Sequence, residues 1–133
     1  MTGFQSPLIT RYISAERKQL EADLVYLCSN GTTYTVPKGF YTDGASVPRP
    51  LWMLYPPFGE AYEAAAVLHD FLYAKAEQFY GTDKGHISRA EADGIFYEAM
   101  KSLNYRTTGR EVIYYSVRFG GWKPWKRYRN REI

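Results

Sequence analysis

Ala64-Ala65-Ala66-Val67-Leu68-His69-Asp70-Phe71-Leu72-Tyr73 is the stretch on which the fold turns. It is an almost unbroken apolar run, which a chain spends on burial. Two ionisable groups interrupt it, and such groups resist burial unless they are paired. The run is too long for an ordinary strand, so it predicts a helix from about Glu60 to Phe79, stopped by Gly81. On that helix His69 and Tyr73 are four residues apart and share a face, while Asp70 sits about 100° around.

A buried helix needs a partner, and the sequence announces one downstream. Ser88-Arg89-Ala90-Glu91 has the form of a capping box, so a second helix should run from there to about Leu103. Asp93, Phe96, Tyr97 and Met100 fall on one stripe of it. Asp93 is the polar member of that stripe. Antiparallel packing through the small residues Ala65, Ala66 and Ala92 would bring Asp93 to His69. Thr108-Gly109-Arg110-Glu111 repeats the capping signal, predicting a third helix to about Phe119 before Gly120-Gly121.

Upstream the texture is different. Leu20, Ala22, Leu24, Tyr26 and Cys28 fall on one face of an alternating stretch, the period of a strand. Asn30-Gly31 suits a type I′ hairpin turn, and Thr32 to Val36 reads as the return strand. Pro37-Lys38-Gly39 makes a turn before a short strand at Phe40-Tyr41-Thr42, and Leu8 to Ile13 could add another. Asp43 to Pro50 and Tyr55-Pro56-Pro57-Phe58-Gly59 are too proline-rich for regular structure. Strands first and helices after predict an α+β fold with an N-terminal antiparallel sheet. The 133 residues suit a single domain with three parts: a β-rich part over 1–59, a helical part over 60–121 and a tail over 122–133.

Bulk properties narrow the class. One cysteine, Cys28, leaves no internal disulfide, which is compatible with a reducing compartment. There is no apolar run long enough to span a membrane and no secretory leader pattern. The net charge is a mild +3. Thirteen tyrosines suit wet interfaces as well as a small core. The tail carries Trp122, Lys123, Trp125, Lys126, Arg127 and Arg129, an aromatic and basic mixture. Such a mixture can meet nucleic acid, a membrane surface or a neighbouring subunit.

The chemistry-bearing residues admit several readings. A carboxylate on one imidazole nitrogen fixes the tautomer and raises the basicity of the other, so Asp93 would make His69 a general base for water. Tyr73 would hold Asp93 in place, and Asp70 could hold a cation. The plain structural reading is a hydrogen-bonded buried pair that fixes helix packing. Asp43 and Ser46 sit on a loop after a strand, where functional groups gather, but both residue types also cap turns. Zinc is disfavoured: His69 and His86 are separated by an expected helix end and loop, and Cys28 lies in a strand.

The spacing His69-Asp70-Phe71-Leu72-Tyr73, with Ala92-Asp93-Gly94-Ile95-Phe96 on the next helix, resembles the two-helix core of phospholipase A2, closest to the viral capsid version. That resemblance implies His69 as base, Asp93 as its partner, Asp70 as calcium ligand and Tyr73 as support. The family places a glycine-rich calcium loop where this chain has Tyr55-Pro56-Pro57-Phe58-Gly59. A broader resemblance runs from about Val36 to Met100. Val36-Pro37, Gly39-Phe40, Thr42-Asp43, Ala45-Ser46-Val47-Pro48-Arg49, His69-Asp70, Tyr73 and Ala92-Asp93 are similar to domain-of-unknown-function family 1353 of tailed phages and prophages. It implies a phage origin close to virion or lysis functions. The expectation is a virion or assembly protein, located in the virion or host cytoplasm, with other virion proteins as partners and a His-Asp site of hydrolytic character. The alternatives are a phospholipase A2-like or cell-envelope hydrolase used in entry or lysis, and a nucleic-acid-binding accessory protein.

Overall fold

A computed structural model describes residues 2–14, 17–42, 62–74, 88–103 and 107–120. Six short strands precede three helices: β1 (Gly3–Phe4), β2 (Thr10–Ser14), β3 (Arg17–Leu20), β4 (Leu24–Leu27), β5 (Thr33–Val36), β6 (Tyr41–Thr42), α1 (Glu63–Ala74), α2 (Arg89–Ser102) and α3 (Thr107–Gly120). The arrangement is α+β, as the order of patterns predicts. The strands form two antiparallel three-stranded sheets, ordered β1-β4-β5 and β2-β3-β6.

The alternating stretch from Leu20 to Cys28 is two strands rather than one. The chain bends at 21–23, where the Glu21 amide donates to the Ile9 carbonyl at 2.8 Å and the Asp23 carboxylate accepts the Lys38 amide at 2.7 Å. The bend passes the chain from one sheet to the other, a common way to turn a corner between sheets. Leu20, Leu24, Tyr26 and Cys28 stay buried on both sides of it, which is why their alternation survives.

The hairpin between β4 and β5 also differs from expectation. Its loop is Ser29-Asn30-Gly31, closed by the Gly31 amide on the Cys28 carbonyl and the Cys28 amide on the Thr32 carbonyl, both at 3.0 Å. Only Gly31 needs positive φ, at +88°. Asn30 instead turns its carboxamide oxygen to the Thr32 amide at 2.8 Å. This is the three-residue loop ending in a left-handed glycine, not the two-residue type I′ turn.

The two sheets lean on the helices. Leu24 faces Val36 and Tyr26 faces Tyr34 across β4 and β5, and all four are buried. Phe4 packs on Tyr26 with ring centroids 4.8 Å apart, and Phe40 meets Phe71 edge-on at 5.3 Å. Lys18 of β3 pairs with Glu63 at the start of α1 at 3.0 Å. In α1 every residue from Ala65 to Ala74 is buried. Each large apolar side chain in that run, such as Leu68 or Leu72, contributes on the order of 2 kcal/mol by leaving water.

The start of α2 follows its signal closely, whereas α1 begins at Glu63 rather than Glu60, and Thr108, expected to cap α3, lies inside that helix. α2 opens on Ser88 with both bonds of the capping box: Ser88 Oγ accepts the Glu91 amide at 3.1 Å and Glu91 accepts the Ser88 amide at 3.2 Å. Residues 75–79, over which α1 is expected to continue, lie outside the described residues. No helix among the described residues is long and apolar enough to cross a membrane.

Candidate functional site

Alanines decide how closely α1 and α2 approach. Ala65, Ala66, Ala92 and Ala99 have no exposed surface, so the larger polar side chains between them meet directly. His69 Nε2 lies 2.8 Å from Asp93 Oδ1, and the Tyr73 hydroxyl donates to the same oxygen at 2.6 Å. The His69 ring stacks on Phe96 at 4.4 Å and tilts against Tyr73 at 4.3 Å. His69 faces Phe96 while Tyr73 reaches back to Asp93, which is the antiparallel sense expected for the two helices.

The other carboxylate oxygen faces cations. Arg118 from the last turn of α3 donates to Asp93 Oδ2 at 2.6 Å, and Arg89, one turn before Asp93 on α2, stands 3.5 Å away. Arg89 also donates to the Val117 and Arg118 carbonyls, both at 3.2 Å, satisfying acceptors that the end of α3 leaves open. Asp93 has no exposed surface and His69 is 2% exposed, whereas the Arg118 side chain is 30% exposed and leads outward.

Electrostatics assigns the protons. Burial pushes the Asp93 carboxyl up, but donors from His69, Tyr73 and Arg118 outweigh it and hold the group below its usual range. Burial pushes His69 down, against the opposing pull of Asp93. Two guanidinium groups already neutralise one carboxylate, so a third positive charge on the imidazole gains little and loses its hydration. Asp93 is therefore anionic and His69 neutral, with Nε2–H donated to Asp93 and the lone pair on Nδ1. Burial and the neighbouring Asp93 together push the Tyr73 hydroxyl well above the usual tyrosine range, so it stays a donor. The bond to Asp93 likewise keeps Arg118 charged.

Three of the sequence-predicted site residues thus converge: His69, Asp93 and Tyr73. Asp70 is buried on α1, at 8% exposure. No three His, Cys, Asp or Glu side chains among the described residues come together as a metal site. Asp43, Ser46 and His86 lie outside the described residues. So do the segment Tyr55 to Gly59 and the tail residues Trp122, Lys123, Trp125, Lys126, Arg127 and Arg129. The sequence reading missed Arg118 and Arg89. Arg89 had a usable signal, because four residues separate it from Asp93 on one helix. Arg118 had only its place in the last turn of α3.

The chain is 31% identical over 97 residues to the uncharacterized protein y4jT of Sinorhizobium fredii (strain NBRC 101917 / NGR234), covering 69% of this chain and 29% of that protein. It is 30% identical over 105 residues to the uncharacterized protein y4iH of the same organism, covering 77% of this chain and 40% of that protein. The chain therefore spans less than half the length of either relative. No solved structure matches it. The family described as "Protein of unknown function (DUF1353)" matches residues 18–117, a span that holds His69, Tyr73, Arg89 and Asp93. That span is most of the chain, and the protein belongs to the DUF1353 family.

Proposed function

We propose that this is a tailed-phage or prophage protein that acts in the virion or its assembly, at the tail or head-tail region, and that its His69–Asp93 pair is a hydrolytic site. The observation that carries the chemistry is the 2.8 Å contact of His69 Nε2 with Asp93 Oδ1, with Tyr73 on the same oxygen. It is the orientation that general-base catalysis requires: a fixed tautomer, with a basic nitrogen left over. His69 Nδ1 takes a proton from water as its oxygen attacks an ester or amide carbonyl; the tetrahedral intermediate collapses with cleavage of the C–O or C–N bond, and the imidazolium returns the proton to the departing alkoxide or amine. Asp93 holds the Nε2–H and the ring orientation through the step, and Arg118 keeps Asp93 ionised.

The phage reading rests on the motif resemblance from Val36 to Met100, and it places the protein in the virion or the host cytoplasm among other virion proteins. The substrate class that suits entry or lysis is phospholipid or a cell-envelope bond. An accessory role in contacting nucleic acid or a membrane surface would fall to the tail from Trp122 to Arg129.

One observation favours a second reading. His69 and Asp93 are almost wholly buried, and the groups on Asp93 come from all three helices. On that reading the cluster is a polar keystone for the helical layer. The variant His69→Gln separates the two, because its amide can still donate to Asp93 but cannot act as a base. The full chain should release fatty acid from phosphatidylcholine vesicles or soluble fragments from purified cell wall. Folded H69Q should lose about 100-fold or more of that turnover. Full activity in H69Q, or no turnover of either substrate by the wild type, overturns the hydrolytic site. Absence of the protein from the mass spectrum of purified virions overturns the virion placement.

A further inference from the structure

The outward side of α2 and α3 holds a separate feature. Gly94, Tyr97, Glu111, Tyr114 and Tyr115 line an open cleft of about 370 Å³. Tyr97 meets Tyr114 edge-on at 5.3 Å, and Tyr114 meets Tyr115 in the same way at 5.3 Å. Three tyrosines thus stand as a continuous aromatic wall, with Tyr115 56% exposed.

The floor of the cleft is the informative part. Gly94 lies in the interior of α2, where glycine is a poor helix former compared with alanine. The backbone there is not left-handed, and a Cβ on Gly94 would meet nothing within 4 Å. Neither backbone geometry nor packing among the described residues calls for glycine at this position. What the missing side chain does accomplish is to keep the cleft open beneath the tyrosines.

The charges around the cleft select the ligand. Aromatic walls beside a carboxylate can hold a cation. Here that role is already occupied, since the Arg110 guanidinium sits 5.6 Å over the Tyr97 ring. Arg118 is committed to Asp93, so the Arg110 guanidinium is the cation that offsets the one carboxylate of the lining, Glu111. A second cation finds the Tyr97 face taken and no net negative charge to draw it. A neutral ligand with apolar ring faces and many hydroxyls meets no such penalty. Tyrosine rings cover its C–H faces, while phenol oxygens and Glu111 accept its hydroxyls.

We propose that the α2–α3 cleft is a binding subsite for a neutral saccharide. The subsite stands whether or not His69 acts as a base, because it shares no side chain with the His69–Asp93–Tyr73 group. Isothermal titration of the full chain with chitotriose, maltotriose and choline tests it. At least one of the two sugars should bind saturably at about 1–10 mM, as an open cleft allows, and choline should not. Gly94→Leu should fill the floor and weaken sugar binding at least tenfold, while its melting temperature stays level or rises by about 3 °C. Tyr115→Ala, at an exposed position, should weaken binding comparably without unfolding the chain. Lack of binding by both sugars overturns the proposal. So does saturable choline binding, or wild-type sugar affinity in folded Gly94→Leu.

Discussion

His69 and Asp93 make the fold sensitive to acid through two separate protonations. Burial holds the His69 pKa below its ordinary 6.5, so between that value and the lower folded one the unfolded chain carries the extra proton. Stability rises with pH wherever the unfolded state binds more protons. His69 therefore contributes stability that is complete above about pH 6.5 and declines as the pH falls toward its folded pKa. Asp93 acts in the same direction lower down. Its carboxyl is held below the ordinary 3.8, so its contribution is present above that value and is lost as pH falls through the folded pKa. In urea titrations the midpoint should drop between about pH 7 and pH 5, with a slope of at most about 1.4 kcal/mol per pH unit for His69. The His69→Gln chain should be flatter over that interval. An equally steep fall in the variant would show that His69 is not the group responsible.

At the scale of elements, what the sequence makes legible depends on whether a signal is local. Ser88 and Glu91 specify the start of α2 among four residues, and both bonds of the capping box are made. Ser88→Ala removes a cap, and should cost about 1 kcal/mol and lower the melting temperature by roughly 3–5 °C. A shift under about 1 °C would mean that tertiary packing alone sets that helix start. The approach of His69 to Asp93 was equally legible, because helical spacing puts each on a buried stripe and the alanines allow contact. The split of Leu20–Cys28 was not. A bend between two sheets preserves the alternation of inward residues, so periodicity cannot reveal it. Asn30-Gly31 misled for a related reason: the same dipeptide serves a two-residue or a three-residue loop, and the partner strand's register decides between them. Arg118 was out of reach altogether. Only the docking of α3 against α2 gives its guanidinium a carboxylate.

For the molecule as a whole, the arginine that sequence could not place has the widest effect. Asp93 lies on α2, its imidazole and phenol donors come from α1, and its closest cation comes from α3. No one of these helices can leave without stranding part of a buried charge cluster. Losing a partner from a buried ion pair costs about 3–5 kcal/mol, less here because Arg118 is partly exposed. The carboxylate thus sets the size of the cooperative unit: the three helices should open together rather than fray one at a time. Native-state hydrogen exchange should find backbone amides of α3 protected to the same free energy as those of α1. In Arg118→Leu the α3 amides should exchange ahead of the rest. If α3 already exchanges on its own in the wild type, the shared carboxylate does not govern cooperativity. If it does govern it, one aspartate makes a helix layer behave as a single folding object.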